Sequence, residues 1–183
     1  MLSIQSIVSN RKNRSVKQLS RRTLLRGVAK LGVAAALMAA SWTAPVSAQY
    51  AAIYPHTAQA SGDLAAAQRQ ALKEQKRILV DFGGNWCGDC RALDANFKQP
   101  DNAKLLATYY VLVHVNVGDE GVDHNLDIAE RYGIPLKKGV PALAVIEPSG
   151  AVVYAQQNGE FESMRKMDPK SVSEFLNRWK PGS

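Results

Sequence analysis

The only two cysteines of the chain, Cys87 and Cys90, stand two residues apart in Trp86-Cys87-Gly88-Asp89-Cys90. A C-x-x-C pair can pass a disulfide to and from a partner, close a structural loop, or supply part of a zinc site. The pair follows the apolar run Ile78-Leu79-Val80-Asp81-Phe82 and the turn Gly83-Gly84-Asn85, so it falls where a buried strand hands over to a helix. The first N–H groups of a helix are unpaired and its dipole is positive at that end, and both favour a thiolate on Cys87. A two-residue loop removes little chain entropy, which makes it a weak staple. Zinc asks for further ligands at short spacing. The candidates in this region, His114 and His124, fall on a strand and in a loop. Asp81, between Val80 and Phe82 at the strand end, reads either as a surface or capping acid or as a buried acid behind the pair. Burial strengthens a carboxylate as a base.

The elements that must position these residues follow from pattern and punctuation. Residues 49–62 read as a linker or a short edge strand through 51–54, and Asp63 as the cap of a helix over 64–75. Residues 78–82 form a buried strand and 87–97 a helix, which Gln99-Pro100 breaks or kinks. Asp101 can cap a short helix over 102–108. A strand over 110–117 is followed by a helix from Asp123 to Tyr132, ended by Gly133. A loop with two prolines leads to a hairpin of strands 142–146 and 151–155. Residues 158–167 read as polar loop, and Asp168-Pro169 starts a last helix whose apolar face is Val172, Phe175, Leu176 and Trp179. The fold class is α/β, a central mixed sheet flanked by helices, with parallel strands joined by helices before an antiparallel hairpin.

Charge separates a leader from a body. The formal net charge is +7, yet residues 1–48 carry eight Lys or Arg and no acid, which leaves the rest at −1. The basicity belongs to the leader, so a nucleic-acid groove is excluded. The leader has a basic start, an Ala- and Gly-rich apolar stretch over 31–42, and small residues up to Ala48. This is the order of a cleavable export signal, with cleavage expected after Ala48. Ser20-Arg21-Arg22-Thr23-Leu24-Leu25-Arg26 resembles the twin-arginine motif; an ordinary secretory signal with a chance arginine pair is the alternative. The apolar stretch is shorter than the roughly 20 residues of a spanning helix, so membrane contact is expected only during export. The expected location is the periplasm, where disulfides persist.

Four features in order resemble the thioredoxin superfamily, over about residues 63–180. Trp86-Cys87-Gly88-Asp89-Cys90 is similar to W-C-G-P-C with Asp89 in place of Pro. Val80-Asp81-Phe82 precedes it at the family spacing. Arg131-Tyr132-Gly133-Ile134 is similar to K-Y-G-I, and Gly139-Val140-Pro141 to the G-I-P whose proline is cis. The departures are the longer loop at 135–138, Ala142 after the proline, His114 near the place of a family lysine, and the small Gly83-Gly84-Asn85.

The resemblance implies a thioredoxin fold over 63–183 and a protein dithiol–disulfide oxidoreductase. Cys87 would be the exposed nucleophile, Cys90 the resolving thiol and Asp81 the acceptor of the Cys90 proton. Trp86, Gly88, Asp89, Val140 and Pro141 would meet the partner chain, with cis-Pro141 presenting backbone groups to it. Asp89 is expected to oppose a Cys87 thiolate, or to be a solvated charge of small effect, and the poise to be reducing. His114 reads as a satisfied core residue, a neighbour of Asp81 outside the site. The partners implied are protein disulfides and a membrane reductase as electron donor, with no bound cofactor and no metal. A non-catalytic chaperone or adaptor and a metallochaperone are the other readings.

Overall fold

The computed structural model describes residues 51–182; the export segment expected at 1–48 lies outside them. Four strands form one mixed sheet in the order β2-β1-β3-β4. Strand β1 (Arg77–Gly83) is central, parallel to β2 (Tyr110–Asn116) and antiparallel to β3 (Ala142–Ile146), and β3 pairs antiparallel with β4 (Val152–Ala155). The expected mixed sheet is therefore the one observed. Every residue of β3 is buried, as is all of β1 after Arg77, which is why both read as continuous apolar runs rather than alternating ones.

Apolar side chains fill both faces of the sheet. Ile78, Val80, Phe82, Val113 and Val115 pack with Leu64, Ala67 and Ala71 of helix α1 (Ala60–Glu74) and Ile128 of α4 (Leu126–Arg131). Leu79, Leu143 and Val145 pack with Leu93 and Phe97 of α2 (Gly88–Phe97), Leu106 of α3 (Pro100–Tyr109), and Val172, Phe175 and Leu176 of α5 (Lys170–Arg178). No helix among the described residues is long and apolar enough to cross a membrane.

Several boundaries move, each for a local reason. Residues 51–56 form no strand. His56 instead accepts the Ala58 N–H and caps a 3-10 turn that runs directly into α1. Helix α1 thus begins at Ala60, with Asp63 inside its first turn rather than capping it. Pro100 does not merely break α2: it occupies the first position of α3, where its missing N–H costs nothing. Helix α4 starts at Leu126, not Asp123. Asp123 pairs with His124 at 2.6 Å, while Asn125 takes the left-handed conformation and donates to the Asn116 and Thr57 carbonyls. The loop at 158–167 is not simply polar, because Phe161 and Met164 are buried and Met164–Lys166 forms a 3-10 turn.

Candidate active site

Cys87 and Cys90 are joined by a disulfide at the start of α2. Cys87 is the N-cap in extended conformation, and its Sγ accepts the Cys90 N–H at 3.1 Å. The sulfur thus receives one of the donors that a helix start leaves unpaired. Cys90, one turn further in, is fully buried, whereas Cys87 keeps 6% of its surface. The order of exposure is as expected, but Cys87 is nearly covered rather than freely exposed. Cys87 Sγ lies 3.6 Å from the Val140 carbonyl oxygen, and the Val140–Pro141 peptide bond is cis. The loop from the 3-10 turn Leu136–Lys138 to β3 therefore brings the two halves of the expected partner-binding surface together.

Trp86 is 40% exposed beside the disulfide, with its Nε1–H donated to the Gly118 carbonyl at 2.9 Å. Gly84 makes room for it: a Cβ there would collide with the indole. Gly83 does the same for another ring. A Cβ on Gly83 would stand 2.8 Å from Cys90 Sγ and closer still to the Tyr54 hydroxyl. Tyr54 is held there by Asn85, whose Oδ1 accepts the Ile53 and Tyr54 N–H groups while its Nδ2 donates to the Tyr54 carbonyl. The small turn that departs from the family pattern is thus filled by a tyrosine from 27 residues before Asp81.

Asp81 is fully buried, as expected. Its Oδ2 accepts from Tyr54 Oη at 2.7 Å and meets His114 Nδ1 at 2.9 Å, while its Oδ1 has no partner. His114 sits opposite Asp81 in the parallel β1–β2 register. It is hydrogen-bonded to Asp81, the neighbour expected from the sequence, and keeps 19% of its side-chain surface exposed. Burial, then the charge and hydrogen bond of Asp81, push the Tyr54 phenol well above its usual 10. For His114 burial works against the charged ring, but the hydrogen bond and charge of Asp81, with Asp94 behind, outweigh it and hold the imidazole above 6.5.

Asp89 is neither solvated nor free to oppose a thiolate. Its carboxylate accepts from Arg165 Nε at 3.1 Å, Nη2 at 2.9 Å and the Arg165 N–H at 2.9 Å. These bonds hold Asp89 below the usual 3.8. The guanidinium lies over Gly88, 3.5 Å from where a Cβ would stand. Opposite charge at this distance offsets the repulsion expected from Asp89 alone. Tyr54, Asn85 and Arg165 were not singled out by sequence. Two glycines ahead of the motif, which leave space for something bulky, and an unbalanced acid inside it were the available signals. Among the described residues no group of three or more His, Cys, Asp or Glu side chains is placed to hold a metal ion.

Comparison with known proteins agrees with this geometry. The family model described as Thioredoxin-like matches residues 57–148. The crystal structure of a disulphide isomerase from Xylella fastidiosa Temecula1 is 33% identical, with a TM-score of 0.64, and the match covers 69% of this chain and 95% of that one. A thioredoxin of Chlorobaculum thiosulfatiphilum is 30% identical over 113 residues, 60% of this chain and 88% of its own length. Protein disulfide isomerase-like 2-2 of Oryza sativa subsp. japonica is 36% identical over 72 residues, and the match spans only 17% of that longer protein. The chain belongs to the thioredoxin-like family.

Proposed function

We propose that this chain is a periplasmic thiol–disulfide oxidoreductase that exchanges the Cys87–Cys90 pair with protein partners and works on the reducing side. The observation that carries the reading is the Cys87 sulfur at the α2 N-cap, bonded by the Cys90 N–H and set against Val140 and Pro141. The family relatives, which include a thioredoxin and a disulphide isomerase, support the same class of chemistry.

In the reduced protein the Cys87 thiolate attacks one sulfur of a client disulfide, and the other client sulfur leaves as a thiolate. The Cys87–client disulfide is then resolved. Cys90 gives its proton to Asp81, its sulfur attacks Cys87 Sγ, and the second client sulfur departs. Two electrons have passed to the client, and the protein is left with the disulfide seen here. A membrane-bound dithiol reductase returns the two electrons by the reverse exchange. Trp86, Gly88, Val140 and Pro141 form the surface on which an extended client segment lies, with the Val140 backbone beside the reacting sulfur. Asp89 holds Arg165 at the rim of that surface.

Insulin reduction with a dithiol donor tests this. The wild-type chain should turn over and Cys87→Ser should not. The equilibrium with glutathione should give a potential well below the roughly −120 mV of a strong periplasmic oxidant. A wild-type protein without turnover, or a Cys87→Ser protein that keeps its cellular role, would favour a binding adaptor instead.

A further inference from the structure

The segment between β4 and α5 touches both halves of the surface on which a client is proposed to lie. Gln156, at its start, is buried, with its Oε1 accepting the Leu143 N–H at 3.3 Å and its Nε2 donating to the Pro141 carbonyl at 3.2 Å. Glu162 packs against Gly139, where a Cβ would stand 2.9 Å from its own Cβ. Phe161 and Met164 are buried in the same apolar cluster as Leu93 and Phe97 of α2. Arg165 then reaches the cysteine motif itself. The segment is thereby fixed at Pro141 and at α2, and so is the side chain it carries there.

Arg165 is held at three points. Its backbone N–H and Nε donate to Asp89 Oδ1, and its Nη2 donates to Oδ2. The two partners are unevenly placed. Asp89 keeps 16% of its side-chain surface and Arg165 keeps 67%, so what stands at the surface is the cation. Its Cζ and Nη1 lie over exposed Gly88, between the two cysteines, 3.5 Å from where a Cβ would stand. A planar guanidinium carries more N–H donors than one carboxylate uses. The Nε–Nη2 edge is given to Asp89, and Nη1 remains over Gly88.

We propose that Arg165, oriented by Asp89, forms a carboxylate-binding subsite that selects clients with an acidic residue beside the reactive cysteine. The proposal rests on the redox reading above and names the client class that the site prefers.

A client segment that lays its cysteine on Cys87 passes close to Gly88, where no side chain keeps it off. An Asp or Glu next to that cysteine then meets a guanidinium already in place. Exposed ion pairs are weak partly because two long side chains must be ordered to form them. Arg165 is ordered before the client arrives, so less is lost on binding. The Asp89 charge offsets part of the attraction, and Lys166, which also acts on Asp89, restores part of it. The turn that carries Lys137 and Lys138 abuts the same segment, with the Lys138 carbonyl 2.5 Å from where a Gly159 Cβ would stand. The nearby acids are engaged within the segment. Glu160 accepts the Gln157 and Asn158 N–H groups, and Glu162 lies against Gly139 and Gly159.

The test uses the reduced protein and symmetrical disulfides of the blocked tripeptides Xaa-Cys-Ala and Ala-Cys-Xaa, with Xaa as Glu, Gln or Lys. Quenched-flow alkylation gives the second-order rate of Cys87–Cys90 oxidation. Each rate is divided by that of dithiothreitol with the same peptide, which corrects for the peptide's own reactivity. In one of the two series the Glu peptide should react about fivefold faster than the Gln peptide at low salt, the upper reach of an exposed ion pair. The Lys peptide should be the slowest. The gain should lie in the half-saturating peptide concentration and not in the limiting rate. Added salt should shrink it. Arg165→Gln slows every peptide through its effect on Cys87, so the ratio is the readout: Glu over Gln should fall to about one. Arg165→Lys, a point charge without the fork, should keep only part of the preference. A wild-type ratio under twofold in both series overturns the proposal, as does a ratio that Arg165→Gln leaves unchanged. No oxidation by any peptide removes the redox reading itself, whereas oxidation at equal rates by all of them removes only the subsite.

Discussion

Arg165 and Asp89 meet 2.9 Å apart beside the disulfide, and their partnership alters what the motif means. An acid between two cysteines disfavours a thiolate; an acid already carrying a guanidinium does so far less. Arg165→Gln should therefore slow attack by Cys87 at neutral pH by roughly two- to threefold and lower the reduction potential slightly, as expected for a screened surface charge. Stopped-flow exchange at low salt measures the first and glutathione equilibration the second. On the proposed reading Asp81→Asn removes the proton acceptor, and the resolving step should fall on the order of a hundredfold while Cys87 attack persists. The His114–Asp81 pair also makes stability depend on pH. The folded His114 binds its proton more tightly than the unfolded value of 6.5. The contribution of the pair is thus complete below 6.5 and is lost as pH rises through the higher folded value. Urea unfolding at a series of pH values should show this decline, and His114→Gln should flatten it.

Between β1 and α2 the chain turns on Gly83-Gly84-Asn85, and each residue of the turn has a task. Gly83 admits the Tyr54 hydroxyl against Cys90, Gly84 admits the Trp86 indole, and Asn85 clamps residues 53 and 54. Gly83→Ala should destabilise the fold by about 1–3 kcal/mol, the range for overpacking a filled interior. Combining it with Tyr54→Phe should recover part of the loss, since the clashing hydroxyl is gone; a double-mutant cycle in urea would show the coupling. These relations explain what sequence could and could not convey. The order of elements, the N-cap position of Cys87, the burial of Asp81 and the cis bond before Pro141 rest on local pattern or on a recognisable motif. Tyr54 and Arg165 reach the site from 27 residues before Asp81 and 76 residues beyond Asp89, and no periodicity reports such pairings. The 158–167 loop looked polar because Phe161 and Met164, which anchor it, stand among charged neighbours that face solvent. Asn125 rather than Asp123 begins α4 because its left-handed backbone lets its amide reach two carbonyls at once.

Taken whole, the chain joins a basic N-terminal segment, residues 1–48, to a remainder of net charge −1. The body is a thioredoxin-like sheet whose central strand ends at the disulfide and whose edge strand carries His114. On the proposed reading residues 1–48 are an export signal that delivers the remainder to the periplasm, so the mature protein should start near Gln49, which N-terminal sequencing of the secreted form would establish. Disulfide exchange then needs Cys87 for attack and Cys90 for release, in that order. Trapping of the mixed disulfide tests that division most directly. With a disulfide-bonded protein substrate, Cys90→Ser should accumulate a covalent adduct through Cys87 that a reductant dissolves, and Cys87→Ser should form none. Equal adducts from both variants, or none from Cys90→Ser, would contradict the account.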